Sequence, residues 1–411
     1  MTHAIAADPS LQRSTSGPGG ERVYFPQLDG LRLIAFVLVY LFHQGVPQFE
    51  GWINALDRTI RGFFSTARRP PGPALGFTIR DNGWVGVQLF FILSGFLITT
   101  LLLREERRFG RIDLRSFWVR RILRIWPLYY LTLFLGFFAL PWAQGVVSSS
   151  SYVELLRRHL PWFLVFLGNW SMGFGGPPMN DAITVLWSVC VEEQFYIVCP
   201  LLLALVPSRL RITAVGLLIG FSLLGRYLLA QAGSSPLLFQ FNSVTQLDTL
   251  LSGVLLALLF DKYPPSERAG RLMGLLQWPV WIAVAWLLTR PSLAHETVAR
   301  RTWDFVALWM IGTGVVGIAL LGKGWFVRFL VYPRVVWLGK ISYGLYMYHE
   351  ITLWLTRSLF GDLPWFPNKE HWQAITAATL TVAVAALSYY GFERPFLKLK
   401  RRWTRVPSRP V

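Results

Sequence analysis

Several things are scarce in this chain, and each scarcity excludes a class of protein. Charged residues make up only 15% of the 411 positions, and acidic ones are rarest, with 22 Asp and Glu against 40 Lys and Arg. A soluble chain of this length would carry more charge, so two or three water-soluble domains are not expected. The two cysteines, Cys190 and Cys199, lie nine residues apart in one apolar segment, a spacing that suits neither a zinc site nor a disulfide within one helix. No set of residues has metal-ligand spacing, so metal independence is expected. Residues 1–22 are polar and contain no apolar run, so no cleavable signal peptide is visible and the first spanning helix is expected to act as the signal. Internal repeats are also missing, as are extended low-complexity segments beyond the N-terminal tail.

What the chain has instead is apolar length. Hydrophobic residues make up 53% of it, and stretches such as Trp84 to Leu103 run uncharged over roughly the 17 to 25 residues that a helix needs to cross about 30 Å of hydrocarbon. Ten spanning helices are expected, at roughly 30–47, 84–103, 119–141, 187–206, 212–231, 246–260, 273–290, 303–321, 336–358 and 373–391. The fold class is therefore all-α, a polytopic membrane bundle with a tail at 1–29, a transmembrane domain at 30–391 and a basic tail at 392–411. Residues 161–170 are apolar but short and flanked by Pro and Gly, which suggests a re-entrant or interfacial piece rather than an eleventh span.

The net charge of +18 is not interleaved along a nucleic-acid-binding face; it collects between the apolar runs. Eight arginines lie between Arg104 and Arg124, and seven Lys or Arg between Arg394 and Arg409. With ten spans the side holding the termini carries about 25 basic residues and the other about 10, so both termini are expected in the cytoplasm of a multi-pass plasma-membrane protein. The segment 48–82, with five arginines, runs against this trend and is expected to cap the external face.

Ionisable residues inside hydrocarbon are costly, and each is a candidate for function. Arg32 and His43 are eleven residues apart, about three turns plus 20°, so they share one helical face about 16 Å apart. An anionic donor held at Arg32 would extend its reactive end to the imidazole, a suitable general base. A snorkelling Arg and a structural His fit the same spacing. Glu192 and Glu193 are expected near the external end of their helix, close to the level of His43, with Glu192 facing inward beside Ser188 and Tyr196. Both could equally lie at the interface and pair with Arg. Arg120, Arg121 and Arg124 can grip phosphates, although the positive-inside rule deposits arginines at any cytoplasmic helix end. His349 and Glu350 sit on the most polar span, where a structural hydrogen-bond network is the competing explanation.

Six motifs in order then carry a resemblance. Leu28-Asp-Gly-Leu-Arg32 with His43, Phe90-Phe-Ile-Leu-Ser-Gly-Phe96, the run from Phe117 to Pro127, Leu186-Trp-Ser with Glu-Glu-Gln-Phe-Tyr196, Ile341-Ser-Tyr-Gly-Leu-Tyr346 with His349, and Phe392-Glu-Arg-Pro395 together resemble the acyltransferase-3 family. The resemblance implies a ten-helix membrane enzyme that moves an acetyl or other short acyl group from acyl-CoA to an acceptor hydroxyl on a saccharide, glycolipid or similar molecule. It implies that the residues matching Arg32 and His43 are the functional pair, with the histidine catalytic, and that Arg120, Arg121 and Arg124 serve the donor. Asp29, Ser94, Tyr343, His349 and Glu350 are further candidates within the matched motifs. No permanently bound cofactor is expected; acyl-CoA is a substrate. Some members carry an added soluble domain, whereas this chain ends about twenty residues past its last expected span, so it is expected to act alone or recruit a partner, with a small or lipid-linked acceptor. The expected mechanism docks CoA on Arg32 and the arginine cluster, with Glu192 orienting His43. The rival reading is a proton-coupled transporter or flippase, which the missing inverted repeats disfavour.

Overall fold

The computed structural model describes residues 24–44, 82–178, 180–289, 298–361 and 369–406, and among these all regular structure is helical. The helices are α1 (Pro26–Gln44), α2 (Val85–Phe109), α3 (Leu114–Phe134), α4 (Ser150–Leu164), α5 (Gly168–Gly175), α6 (Leu186–Leu205), α7 (Arg211–Gln231), α8 (Ser243–Lys262), α9 (Glu267–Thr289), α10 (Val298–Leu321), α11 (Pro333–Lys340), α12 (Ser342–Gly361), α13 (Lys369–Ser388) and α14 (Arg394–Lys400), with short helical turns between several of them. The external cap expected at 48–82 lies almost wholly outside the described residues.

Polarity is distributed as hydrocarbon demands. Leu217, Leu224, Leu275, Ile282 and Leu387 point outward, while Asp29, Gln88, Asn169, Arg226, Asp248, His349 and Glu350 are buried. Among the described residues seven helical segments are long and apolar enough to cross a membrane, or eight if a bent pair within Arg268–Leu288 counts as one span. α1 and α12 are not among them. Each carries several polar or charged side chains, Asp29, Arg32 and His43 on α1 and His349, Glu350 and Arg357 on α12, which lower the hydropathy of both helices.

The stretch at 161–170 forms no span. α4 ends at Leu164, the chain reverses at Phe166 with φ of 59°, and α5 starts two residues later. Tyr129 and Tyr130 of α3 donate hydrogen bonds to the carbonyls of Phe163 and Leu164, which ties the reversal to the bundle.

Two close approaches set the register of the centre. At Gly95 of α2 and Gly253 of α8 an added Cβ would overlap the facing backbone, at Leu250 and Ile92 respectively, so the two helices touch backbone to backbone. Gly86 meets the Ala35 carbonyl and Val39 in the same way, which puts the start of α2 level with the second half of α1.

Residues 392–406, the described part of the basic tail, pack against the bundle. After α13 a π-helical turn, Tyr389–Glu393, leads into α14 and a 3-10 turn, Arg401–Trp403, and this continuation packs on α3. Arg120 of α3 donates to the Trp403 carbonyl at 2.8 Å, and Arg405 pairs with Asp113 at 2.6 Å. Asp113 also caps α3 by accepting from the Ser116 amide at 3.0 Å. Interior hydrophobic contacts along α14, through Leu397, explain why a run rich in Lys and Arg still docks.

Candidate active site

Two adjoining cavities lie between α1, α2, α3, α6 and α12. They share Arg32, Leu97, Arg121 and Arg124 on their common wall. The outer one is closed by Tyr24, Asp29, Leu101 and Lys400. The inner one runs along α2 from Ile98 to Val87, about 16 Å for eleven residues, past Ser94, Glu192, Ser188 and Tyr343 to Tyr346. Because Gly86 sits level with Val39, its far end stops about one turn short of His43.

At that end three side chains meet. His43 Nδ1 contacts Glu350 Oε1, and His349 Nε2 lies 3.2 Å from His43 Nδ1 and 3.7 Å from the same carboxylate. His349 and Glu350 are buried, while His43 is 21% exposed along its side chain. The hydrogen bonds fix the tautomers. His349 Nδ1 stands 2.6 Å from the Tyr346 carbonyl, which can only accept, so Nδ1 carries the proton and a neutral His349 presents a bare Nε2. His43 Nδ1 then faces both Glu350 and His349 as a donor, so that the neutral ring would offer Nε2 as its base. Arg357 donates to the His43 carbonyl at 2.7 Å and holds the end of α1. Asp181 also lies within electrostatic reach of His43, Glu350 and Arg357.

The carboxylate beside His43 is therefore Glu350, and the expected pairing with Glu192 is not found. Glu192 accepts from Ser94 Oγ at 2.6 Å and from the Tyr196 hydroxyl at 3.0 Å, in the cavity that Arg32 and Arg121 also line. The reason is where the span begins. Asp181–Leu205 forms one candidate span, so Glu192 lies eleven residues, about 16 Å, from its start rather than five. Glu193 faces away toward α3, where Trp126 donates to it at 2.9 Å.

The arginines also separate. Arg121 and Arg124 line both cavities, and the Arg121 guanidinium stacks over Phe117 and Tyr196. Arg120, expected beside them, lines neither: it is held by Glu105 at 2.9 Å and by the Trp403 carbonyl. Its bonds to Glu105 and the Trp403 carbonyl turn Arg120 away from the cavity walls that Arg121 and Arg124 line. Asp29 accepts from Tyr24 at 2.9 Å and from Arg32 at 3.3 Å. Tyr343 lines the inner cavity and donates to the Ile125 carbonyl. Tyr346, which donates to the Val185 carbonyl and shares a 2.7 Å hydrogen bond with Ser188, had no place among the sequence candidates, and neither did Lys400.

His43, His349 and Glu350 also bring one donor atom each within 4.8 Å of one another, a grouping a metal ion could use. Sequence spacing gave no sign of it, since α1 and α12 lie 306 positions apart along the chain.

Residues 25–390 match the model of a protein family described as an acyltransferase domain. The chain is 27% identical over 394 residues to a Bacillus subtilis (strain 168) protein named "Putative peptidoglycan O-acetyltransferase YrhL", an overlap of 90% of this chain and 55% of that protein. It is 26% identical over 393 residues to "Peptidoglycan O-acetyltransferase OatA" of Listeria monocytogenes serovar 1/2a, covering 92% and 56%. The chain thus spans little more than half the length of these curated relatives. No solved structure matches it.

Proposed function

This chain belongs to the acyltransferase-3 family, and from that premise we propose that it is a multi-pass membrane O-acyltransferase that carries an acetyl or similar short acyl group from acyl-CoA to a hydroxyl of a saccharide acceptor. The observation that supports this most is the alignment along α1 and α2: cations at one end, a mixed polar and apolar cavity beyond them, and, about one turn past its far end, the His43 imidazole against Glu350. The names of the two relatives favour a cell-wall saccharide as acceptor. Counting α1 and α12 as spans beside the seven segments and the bent pair gives the ten crossings of this reading, and the excess of basic residues in the segments on one side favours both termini in the cytoplasm of a plasma-membrane protein.

The donor's phosphates bind Arg32, Arg121 and Arg124, and its pantetheine arm fills the inner cavity with the thioester toward His43. The acceptor hydroxyl attacks the thioester carbonyl as its proton passes to His43 Nε2. The C–S bond then breaks, and the departing thiolate takes that proton, giving the ester and CoA. Glu350 orients the ring and stabilises the imidazolium formed between these steps. No cofactor enters the balance.

The test is acetyl-CoA binding and slow hydrolysis by the purified chain in detergent, since hydrolysis needs no knowledge of the acceptor. Binding with turnover supports the reading. Failure of acetyl-CoA to bind or react would sink the acyl-CoA donor, and proton-coupled flux without acyl-CoA consumption would install the transporter reading instead.

A further inference from the structure

The walls of the two cavities carry more cations than carboxylates. Arg32, Arg121, Arg124 and Lys400 line the two cavities, against the carboxylates Asp29 and Glu192. Both carboxylates are already engaged, Asp29 by Tyr24 and Arg32, Glu192 by Ser94 and Tyr196. The charges acting most strongly on Lys400 are Arg124, Arg121, Arg120 and Arg32, all of its own sign. The Arg121 Nε atom is buried with no hydrogen-bond partner. Such a cluster is held together by covalent structure and is stabilised when a polyanion enters.

The four cations are not equivalent. Arg32, Arg121 and Arg124 stand where the two cavities join, whereas Lys400 lines only the outer one. Lys400 is brought there by α14, which the Arg120 bond to the Trp403 carbonyl and the Arg405–Asp113 pair strap across α3. Resting on the acyl-CoA reading above, the order of groups along the donor then matches the order of cations along the path. The thioester lies deepest, the 5′-diphosphate follows at the junction, and the ribose 3′-phosphate is the anion farthest from the thioester.

We propose that Lys400 binds the 3′-phosphate of the donor, so that the strapped C-terminal segment makes the enzyme select CoA over nucleotides lacking that group. Arg120 acts here as a positioning residue through the strap and does not touch the donor.

The experiment compares CoA with dephospho-CoA, which lacks only the 3′-phosphate, by calorimetric titration of the full chain and of Lys400→Met, Lys400→Arg and Arg32→Met. The parent should prefer CoA by about tenfold or more, the scale of one charge-assisted contact. Lys400→Met should lose that preference by weakening CoA alone, and Lys400→Arg should keep most of it. Arg32→Met should weaken both nucleotides together. Equal weakening of both by Lys400→Met, or an undiminished preference in that variant, overturns the assignment. Failure of the donor reading looks different: neither nucleotide binds the parent, and the assignment falls with it.

Discussion

Two groups of charged side chains are buried in this bundle, and they are built in opposite ways. Arg226 of α7 and Asp248 of α8 are both fully enclosed, matched one to one, with the guanidinium 3.8 Å from the centre of the Phe305 ring. Neither lines either cavity. The Asp248 amide donates to Ser222 Oγ at 3.2 Å and the Thr249 amide to the Asp248 carboxylate at 2.8 Å, while Arg226 Nε and Nη1 are buried without a hydrogen-bond partner. The cavity group has four cations for two carboxylates, and both carboxylates are already in use. Matched charge inside a membrane protein holds helices together. Unmatched charge leaves room for something that arrives from outside.

The comparison is most exposed to failure at the reactive end of the cavity. His43→Ala should lower turnover about 10²- to 10⁴-fold, the range for a lost general base, while acetyl-CoA affinity stays near parental. Glu350→Gln should follow in the same direction. A fall in affinity without a fall in turnover would make His43 a binding residue. Activity lost to a chelator and restored by one metal would turn the group of His43, His349 and Glu350 into a metal centre.

The enclosed pair should answer in stability. Arg226→Met leaves Asp248 buried and alone, a loss of about 3–5 kcal/mol, whereas Arg226→Met with Asp248→Leu should return near the parental midpoint in thermal unfolding. Turnover per folded molecule should not change in the double variant. If it collapses while the fold survives, the two groups are not separate.

At the junction of the cavities, Arg32→Met should weaken CoA by about tenfold to a hundredfold, the scale of a hydrogen bond to a charged group. Raising the salt concentration should narrow the difference from the parent, since screening weakens the contact that only the parent makes. The smallest effect belongs to Asp113. Asp113→Ala removes the cap of α3 and one anchor of the strap, which should cost about 1 kcal/mol and reduce the preference for CoA over dephospho-CoA. Hydrogen bonds from Ser116, chiefly its backbone amide, hold the Asp113 carboxyl below its usual range. A depressed folded-state pKa gives stability that is present above the ordinary Asp range and lost as pH falls through the depressed value. The CoA preference should therefore persist at neutral pH and fade only in acid, and a decline near neutrality would implicate another group.

The all-helical, membrane-spanning character of the chain, and the spacing of Arg32 and His43 along one helix, were legible in the sequence because both rest on local periodicity. Eleven residues come close to three whole turns whatever the helix packs against. The partner of His43 was not legible, because it depends on which helix lies beside α1, and that is settled by contacts 306 positions apart. Glu192 was misplaced because the start of its span was set at Trp187, where a tryptophan is common at a membrane boundary, when the helical path had already begun at Asp181. Lys400 was hidden by its company: one lysine in a basic run reads as an orientation signal, and only the strap singles it out.

The interval between Arg32 and His43 is also a ruler. Under the proposed mechanism an acyl donor holds its anion at one end and its carbonyl at the other simultaneously, which an acyl phosphate is too short to do and a donor on a long flexible arm does without strain. Inserting one residue into α1 between them would shift the two ends by about 1.5 Å and turn them apart by about 100°. Substitutions on the outward face of that interval are tolerable in a way that insertions are not, so what α1 must preserve there is length and phase more than composition.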